Sequence, residues 1–157
     1  MNTNPMTARE YLEQALDIER EIDAKMAELE ALRALSTRIT ATLSDMPRAS
    51  SGNPQTLENT VVRIVTVEKE IDAVIDRMLD MKHEIVDFLK SLPDAELRKL
   101  LICKYIGFQN WAQIAKEMKY SVRYTYTLHD KALEMVEAIL PDEKRVRKQV
   151  EANDGTY

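Results

Sequence analysis

Residues Trp111–Leu133 read WAQIAKEMKYSVRYTYTLHDKAL, and this stretch decides the fold of the C-terminal part of the chain. Ile114, Ala115, Met118, Tyr120 and Leu128 recur at helical spacing on either side of a polar break. Ala115 is small where two crossing helices would touch, and Ser121 is placed to cap a second helix. The pattern predicts two helices joined by a tight turn, Met118-Lys119-Tyr120-Ser121, in the layout of a helix-turn-helix. Trp111, Ile114, Ala115 and Met118 make the inner face of the first. The second runs from Val122 to about Leu140 with Leu128, Ala132, Leu133, Val136 and Leu140 inward, and Pro141 stops it.

Upstream, Pro93 resets the backbone, and Asp94 and Glu96 fall in the first turn of a leading helix, where its dipole favours anions. Leu97, Leu100, Leu101, Lys104 and Tyr105 follow at helical spacing. Gly107 is expected to end this helix, Phe108 lies in the connector and Asn110 can cap the helix that begins at Trp111.

The N-terminal part is different in kind. From Thr7 to about Leu43 there is no Gly or Pro, and Tyr11, Ala15, Ile18, Ile22, Leu29, Leu32, Ile39 and Leu43, with Lys25 and Ser36 filling the gaps, alternate steps of four and three. Thr7 and Glu10 have the spacing of a capping box. A second run, from about Thr56 to Leu92, has its seam at Ile64, Val67, Ile71, Val74, Met78, Met81, Ile85, Phe88 and Leu92, with Thr56 and Asn59 as N-terminal signals. A period of 3.5 residues is that of a left-handed coiled coil. Each helix would reach about 55 Å, and a stripe this narrow needs a partner. Ser44–Gln55, SDMPRASSGNPQ, is a loop long enough to fold the second helix back on the first as an antiparallel hairpin; pairing between subunits is the competing arrangement. The expected class is therefore all-α: a helical hairpin over 1–92 with its loop at 44–55, a helix-turn-helix domain over 93–140 and a charged, flexible tail over 141–157.

IEREIDA (Ile18–Ala24) and VEKEIDA (Val67–Ala73) are nearly identical and occupy equivalent seam positions. Duplication and convergence of coiled-coil patterns explain this equally well. Glu19 with Asp23 and Glu68 with Asp72 have the spacing of metal ligands on one helix face, but no His accompanies them, and carboxylates on such a flank are ordinarily solvated or paired with Lys or Arg.

Composition limits the function. Three Gly and two Phe against eight Met in 157 residues is helical usage. The N-terminus lacks the basic-then-apolar order of a secretion signal, and no apolar run reaches the ~20 residues of a membrane span. The single Cys103 reads as a buried thiol in a reducing cytoplasm. His83 and His129 read as surface residues, and Trp111 as core. No Ser-His-Asp spacing, phosphate-binding Gly loop or Cys/His cluster exists, so no catalytic residue, metal or cofactor is expected and the chain is not read as an enzyme. The net charge of −5 is unevenly placed. Residues 1–93 carry 11 Lys+Arg and 17 Asp+Glu, a balance of −6, whereas 94–140 carry 7 and 6, a balance of +1. The acidity belongs to the long helices, and the C-terminal domain can approach phosphate, though weakly.

The leading ELRKLLICKYIGF (Glu96–Phe108), the WAQIAKEM helix, Ser121 as cap and the trailing KAL (Lys131–Leu133) together resemble region 4 of sigma-70-type transcription factors. With its acidic helical N-terminal part, the chain is similar to small phage-encoded, sigma-like late-transcription regulators of the RinA/ArpU type. Three positions depart from the pattern: Lys119 stands where Gly is usual, Thr125 where Val or Ile is usual, and the run from Val122 to Thr127 holds one Arg. The resemblance implies that Val122, Arg123, Tyr126 and Thr127 match base-reading positions and Lys131 a backbone-contacting one. Chemically, Arg123 can hold a guanine edge through two hydrogen bonds, Val122 can pack on a thymine methyl, and Tyr126 and Thr127 can donate to a base or phosphate. Lys116, Lys119 and Lys131, with Ser121 at the helix start, are the candidate DNA-backbone contacts, which set register without reading sequence. Tyr120 and Tyr124 either reach the backbone through their hydroxyls or pack on the leading helix.

The expected function is a cytoplasmic, phage or prophage DNA-binding transcriptional regulator whose partner is double-stranded DNA, with RNA polymerase a second candidate. The N-terminal helices would make it a homo-oligomer, a dimer. A small terminase-like DNA-packaging subunit, and an interaction module that binds RNA polymerase without meeting DNA, share the same layout.

Overall fold

The computed structural model describes residues 4–45 and 54–147, whose regular elements are all helical. They are α1 (Ala8–Asp45), α2 (Pro54–Leu89), α3 (Ala95–Tyr105), α4 (Trp111–Met118), α5 (Val122–Ile139) and a 3-10 turn over Asp142–Arg145. Two compact units emerge. One is Asp17–Met81; the other joins the described residues up to Leu16 with those from Lys82 onward.

In the first unit α1 and α2 pair within the chain. Leu29, Val67 and Ile71 are buried together, with Leu32 and Ile64 packed against them. Each such side chain taken fully out of water contributes ~1.5–3 kcal/mol. The direction is fixed by charge: Glu21, Lys25 and Glu28 of α1 pair with Arg77, Glu70 and Arg63 of α2, so one number rises as the other falls and the helices are antiparallel. Arg33 also reaches across to Glu68, at 2.9 Å. Lys25, a polar residue inside the apolar seam, holds Glu70 at 3.0 Å. Both copies of the near-repeat put the expected residues inward: Ile18 and Ile22 are half-buried, Val67 and Ile71 buried. Thr37, Thr40, Thr60 and Thr66 return their hydroxyls to the carbonyl four residues back, which removes an unpaired donor from each helix surface. Residues 46–53 of the expected loop lie outside the described residues; the flanking helices extend into it as far as Asp45 and Pro54.

The second unit begins with the capping box: the Thr7 amide donates to Glu10 Oε2 at 2.8 Å and the Glu10 amide to Thr7 Oγ1 at 3.3 Å. Tyr11 and Leu12 then bury themselves completely, and the Tyr11 ring meets Phe88 edge-on at 5.4 Å. α2 stops at Leu89, ahead of Pro93, and Leu92 is buried in the turn that follows. Residues 141–147, the start of the expected tail, are tied down. The Met6 amide donates to the Arg145 carbonyl at 2.9 Å, and the Arg145 guanidinium donates to the carbonyls of Met6, Glu137 and Leu140 and to the Glu137 carboxylate. Charge read along the sequence suggests solvation, but Arg145 has three carbonyls to satisfy and stays folded over them. The rest of the tail, 148–157, lies outside the described residues.

Candidate nucleic-acid interface

α3, α4 and α5 pack on one another in all three pairings. Asp94 is the N-cap of α3 rather than part of its first turn, accepting from the amides of Glu96 and Leu97. The helix ends at Ile106, and the left-handed residue that follows is Phe108, with φ 53°, not Gly107. The Gly107 amide instead closes back on Ile102 at 2.9 Å, and a Cβ at Gly107 would sit 3.0 Å from the Cys103 carbonyl oxygen. Gly107 is therefore required for close approach, not for positive φ. Lys82 covers the exposed side of this turn, its ammonium 4.4 Å from the Phe108 ring centre.

Asn110 and Gln113 exchange side-chain-to-amide hydrogen bonds of 2.8 and 3.0 Å, a capping box that starts α4 at Trp111. Lys119 ends it in the left-handed region, φ 61° and ψ 39°. Its amide bonds Lys116 at 3.3 Å and the Tyr120 amide bonds Ala115 at 3.0 Å, the pairing of a Schellman motif. The position usually held by Gly thus keeps its conformation with Lys in it. Ser121 Oγ accepts from the Tyr124 amide at 3.1 Å and starts α5. Thr125, fully buried, donates its hydroxyl to the Ser121 carbonyl at 2.9 Å, so the inner position tolerates a polar residue because that residue satisfies itself.

His129 is a correction to the sequence reading. It is 3% exposed, and its Nε2 lies 2.7 Å from the Tyr105 hydroxyl of α3. Burial first, then the nearby positive charge of Arg9, hold its pKa down to about 4, so the ring is neutral. Burial likewise pushes Tyr105 up to about 12. Trp111 is half-buried rather than core. Its indole meets the His129 ring at 4.8 Å and the Tyr126 ring at 4.6 Å, and the Lys104 ammonium sits 4.7 Å above it. The sequence held one clue to this cluster: Tyr126 and His129, three apart, share a helix face.

Val122 is 41% and Tyr126 45% exposed; Arg123 and Thr127 are also exposed, so the four candidate base readers of α5 all present themselves to solvent. Lys116, Lys119, Ser121 and Lys131 are exposed too. Among the described residues, Lys116, Lys119, Arg123 and Lys131 make no ion pair. Tyr120 leans on Tyr124 at 4.8 Å and hydrogen-bonds the Glu96 carboxylate, which raises its pKa. Tyr120 is therefore exposed and faces Glu96 of the leading helix. Cys103 is half-buried with its thiol 3.8 Å from Glu117, and burial, then that carboxylate, raise its pKa away from the reactive range. No group of three or more metal-ligating side chains occurs among the described residues, and no helix there is long and apolar enough to cross a membrane.

Comparison with known proteins finds no matching family model, no matching curated protein and no matching solved structure.

Proposed function

We propose that the chain is a sequence-specific, double-stranded-DNA-binding regulator of transcription, of phage or prophage origin and similar in plan to sigma-70 region 4, with α4 and α5 as its helix-turn-helix. One observation carries this reading: the outward side of α5 offers Val122, Arg123, Tyr126 and Thr127 to solvent, flanked by Lys116, Lys119 and Lys131, which make no ion pair among the described residues. Arg123 can grip a base edge and the flanking lysines can neutralise phosphates. The near-neutral balance of residues 94–140 makes each head a weak binder. A dimer through the N-terminal helices would raise the effective concentration of a second head. RNA polymerase is the further partner the reading supplies.

The exposed aromatic and apolar side chains of Tyr120, Val122, Tyr124 and Tyr126 favour a second reading, in which the same face docks on a protein such as RNA polymerase. A mobility-shift titration of the full chain against genomic fragments separates the two. The first reading requires binding whose log affinity falls linearly with log salt and whose sequence preference relaxes in Arg123→Ala. No binding to any fragment at low salt, with capture of polymerase intact, supports the second.

A further inference from the structure

We propose that Trp111 is a positioning residue for sequence readout, acting through Tyr126; the inference rests on the DNA-binding reading above. Tyr126 stands at the border of α5, next to the buried Thr125 and half exposed itself. A tyrosine there, held by its own helix alone, would exchange between rotamers and meet a base edge in several poses. Trp111 removes that freedom. The two rings lie 4.6 Å apart with a 44° tilt, which puts the Tyr126 ring against the indole while the residue stays nearly half exposed.

The indole is itself held on two further sides. His129 meets it edge-on at 4.8 Å, the Tyr105 hydroxyl fixes that imidazole at 2.7 Å, and the Lys104 ammonium lies 4.7 Å above the indole. α4 begins at Trp111 because the Asn110–Gln113 capping box fixes the first turn there, so the indole's backbone is anchored as well. A chain of supports runs from α3 through His129 and Trp111 to Tyr126. Its effect is to order a reading side chain before DNA arrives, so that less rotamer freedom is lost on binding. Arg123, by contrast, has no ring or ion-pair support among the described residues.

The test uses the full chain and four variants, Trp111→Leu, Trp111→Phe, Tyr126→Ala and the Trp111→Leu/Tyr126→Ala double variant, on the preferred duplex and on a scrambled duplex. Trp111→Leu is expected to cut the preference for the specific duplex about tenfold, the scale of one mismatched base pair, while scrambled-duplex affinity and salt slope stay as in wild type. Trp111→Phe keeps an aromatic platform and restores most of the preference. In the Tyr126→Ala background Trp111→Leu has no further effect. In the free protein, the Tyr126 ring protons lose their ring-current shift in Trp111→Leu and the side chain averages between rotamers by NMR. Full preference in Trp111→Leu, or an equal loss with and without Tyr126, overturns the role while leaving DNA binding standing. No duplex binding by the wild type overturns the DNA reading and this role with it.

Discussion

The Tyr105 hydroxyl and His129 Nε2 face each other at 2.7 Å inside the protein, joining α3 to α5 across 24 residues of sequence. The neutral imidazole exchanges one hydrogen bond with the phenol, its direction set by the tautomer. Removing the phenol hydroxyl leaves the buried Nε2 without its partner, which costs about 1–3 kcal/mol. Tyr105→Phe is therefore expected to lower unfolding stability by that amount in urea melts.

The same pair makes stability depend on pH. His129 has a folded-state pKa of about 4, below the unfolded value of 6.5. Above pH 6.5 both states are neutral at this site and it contributes no slope. Between about 6.5 and 4 the unfolded chain takes up a proton that the folded one refuses, so stability falls as pH drops and levels off below 4, by about 3 kcal/mol in all. His129→Gln, which cannot titrate, should flatten this limb when melts are compared between pH 4 and 7.5.

Lys119 occupies left-handed backbone, which a side chain with a Cβ adopts only under strain. Lys119→Gly is expected to relieve about 1 kcal/mol of strain, part of it offset by the freer unfolded chain. Under the proposed DNA-binding reading, in which Lys119 meets a phosphate, the same substitution should reduce the slope of log affinity against log salt by about 1. A thermal melt and a salt titration of one variant thus check the turn and the interface separately.

Arg145 is expected to matter more than its place near a charged tail suggests. Arg145→Ala leaves the carbonyls of Met6, Glu137 and Leu140 without their donor and takes from Glu137 one of the two donors, after the Ala8 amide, that hold its carboxyl below the usual range. A loss of about 2–3 kcal/mol is expected. Arg145→Lys should recover little, since a single ammonium cannot span the same fork of acceptors. Amide hydrogen exchange at Met6 reads the effect directly.

Lys25 is the test of the hairpin. Lys25→Leu completes the apolar seam against Ile71's neighbourhood and removes a partly exposed ion pair of 3.0 Å that contributes at most ~1 kcal/mol. A gain in Tm of several degrees is expected for a change of about 1–2 kcal/mol. A loss in Tm would show that the pair fixes helix register instead of only tolerating water.

The features legible in the sequence are those whose cause lies within a turn or two of the residue. The Thr7–Glu10 box, the Asn110 cap and the Ser121 cap depend on neighbours three positions away, and all are present. The seam is equally local in origin, a period of apolar residues that can face only one way on a helix. Gly107 shows the limit of such reasoning: a glycine after a helix invites positive φ, yet close approach to Cys103 uses it, and Phe108 takes the strained conformation.

By itself, then, the amino-acid order determined helix content, the seam, the Thr7, Asn110 and Ser121 caps and the turn between α4 and α5, because hydrogen bonding and periodicity act along the backbone. Only the tertiary structure decided that His129 is buried and neutral, that Trp111 meets the Tyr126 ring, and that Arg145 closes over Met6. Those outcomes rest on desolvation and on partners tens of residues away, and no local pattern carries either.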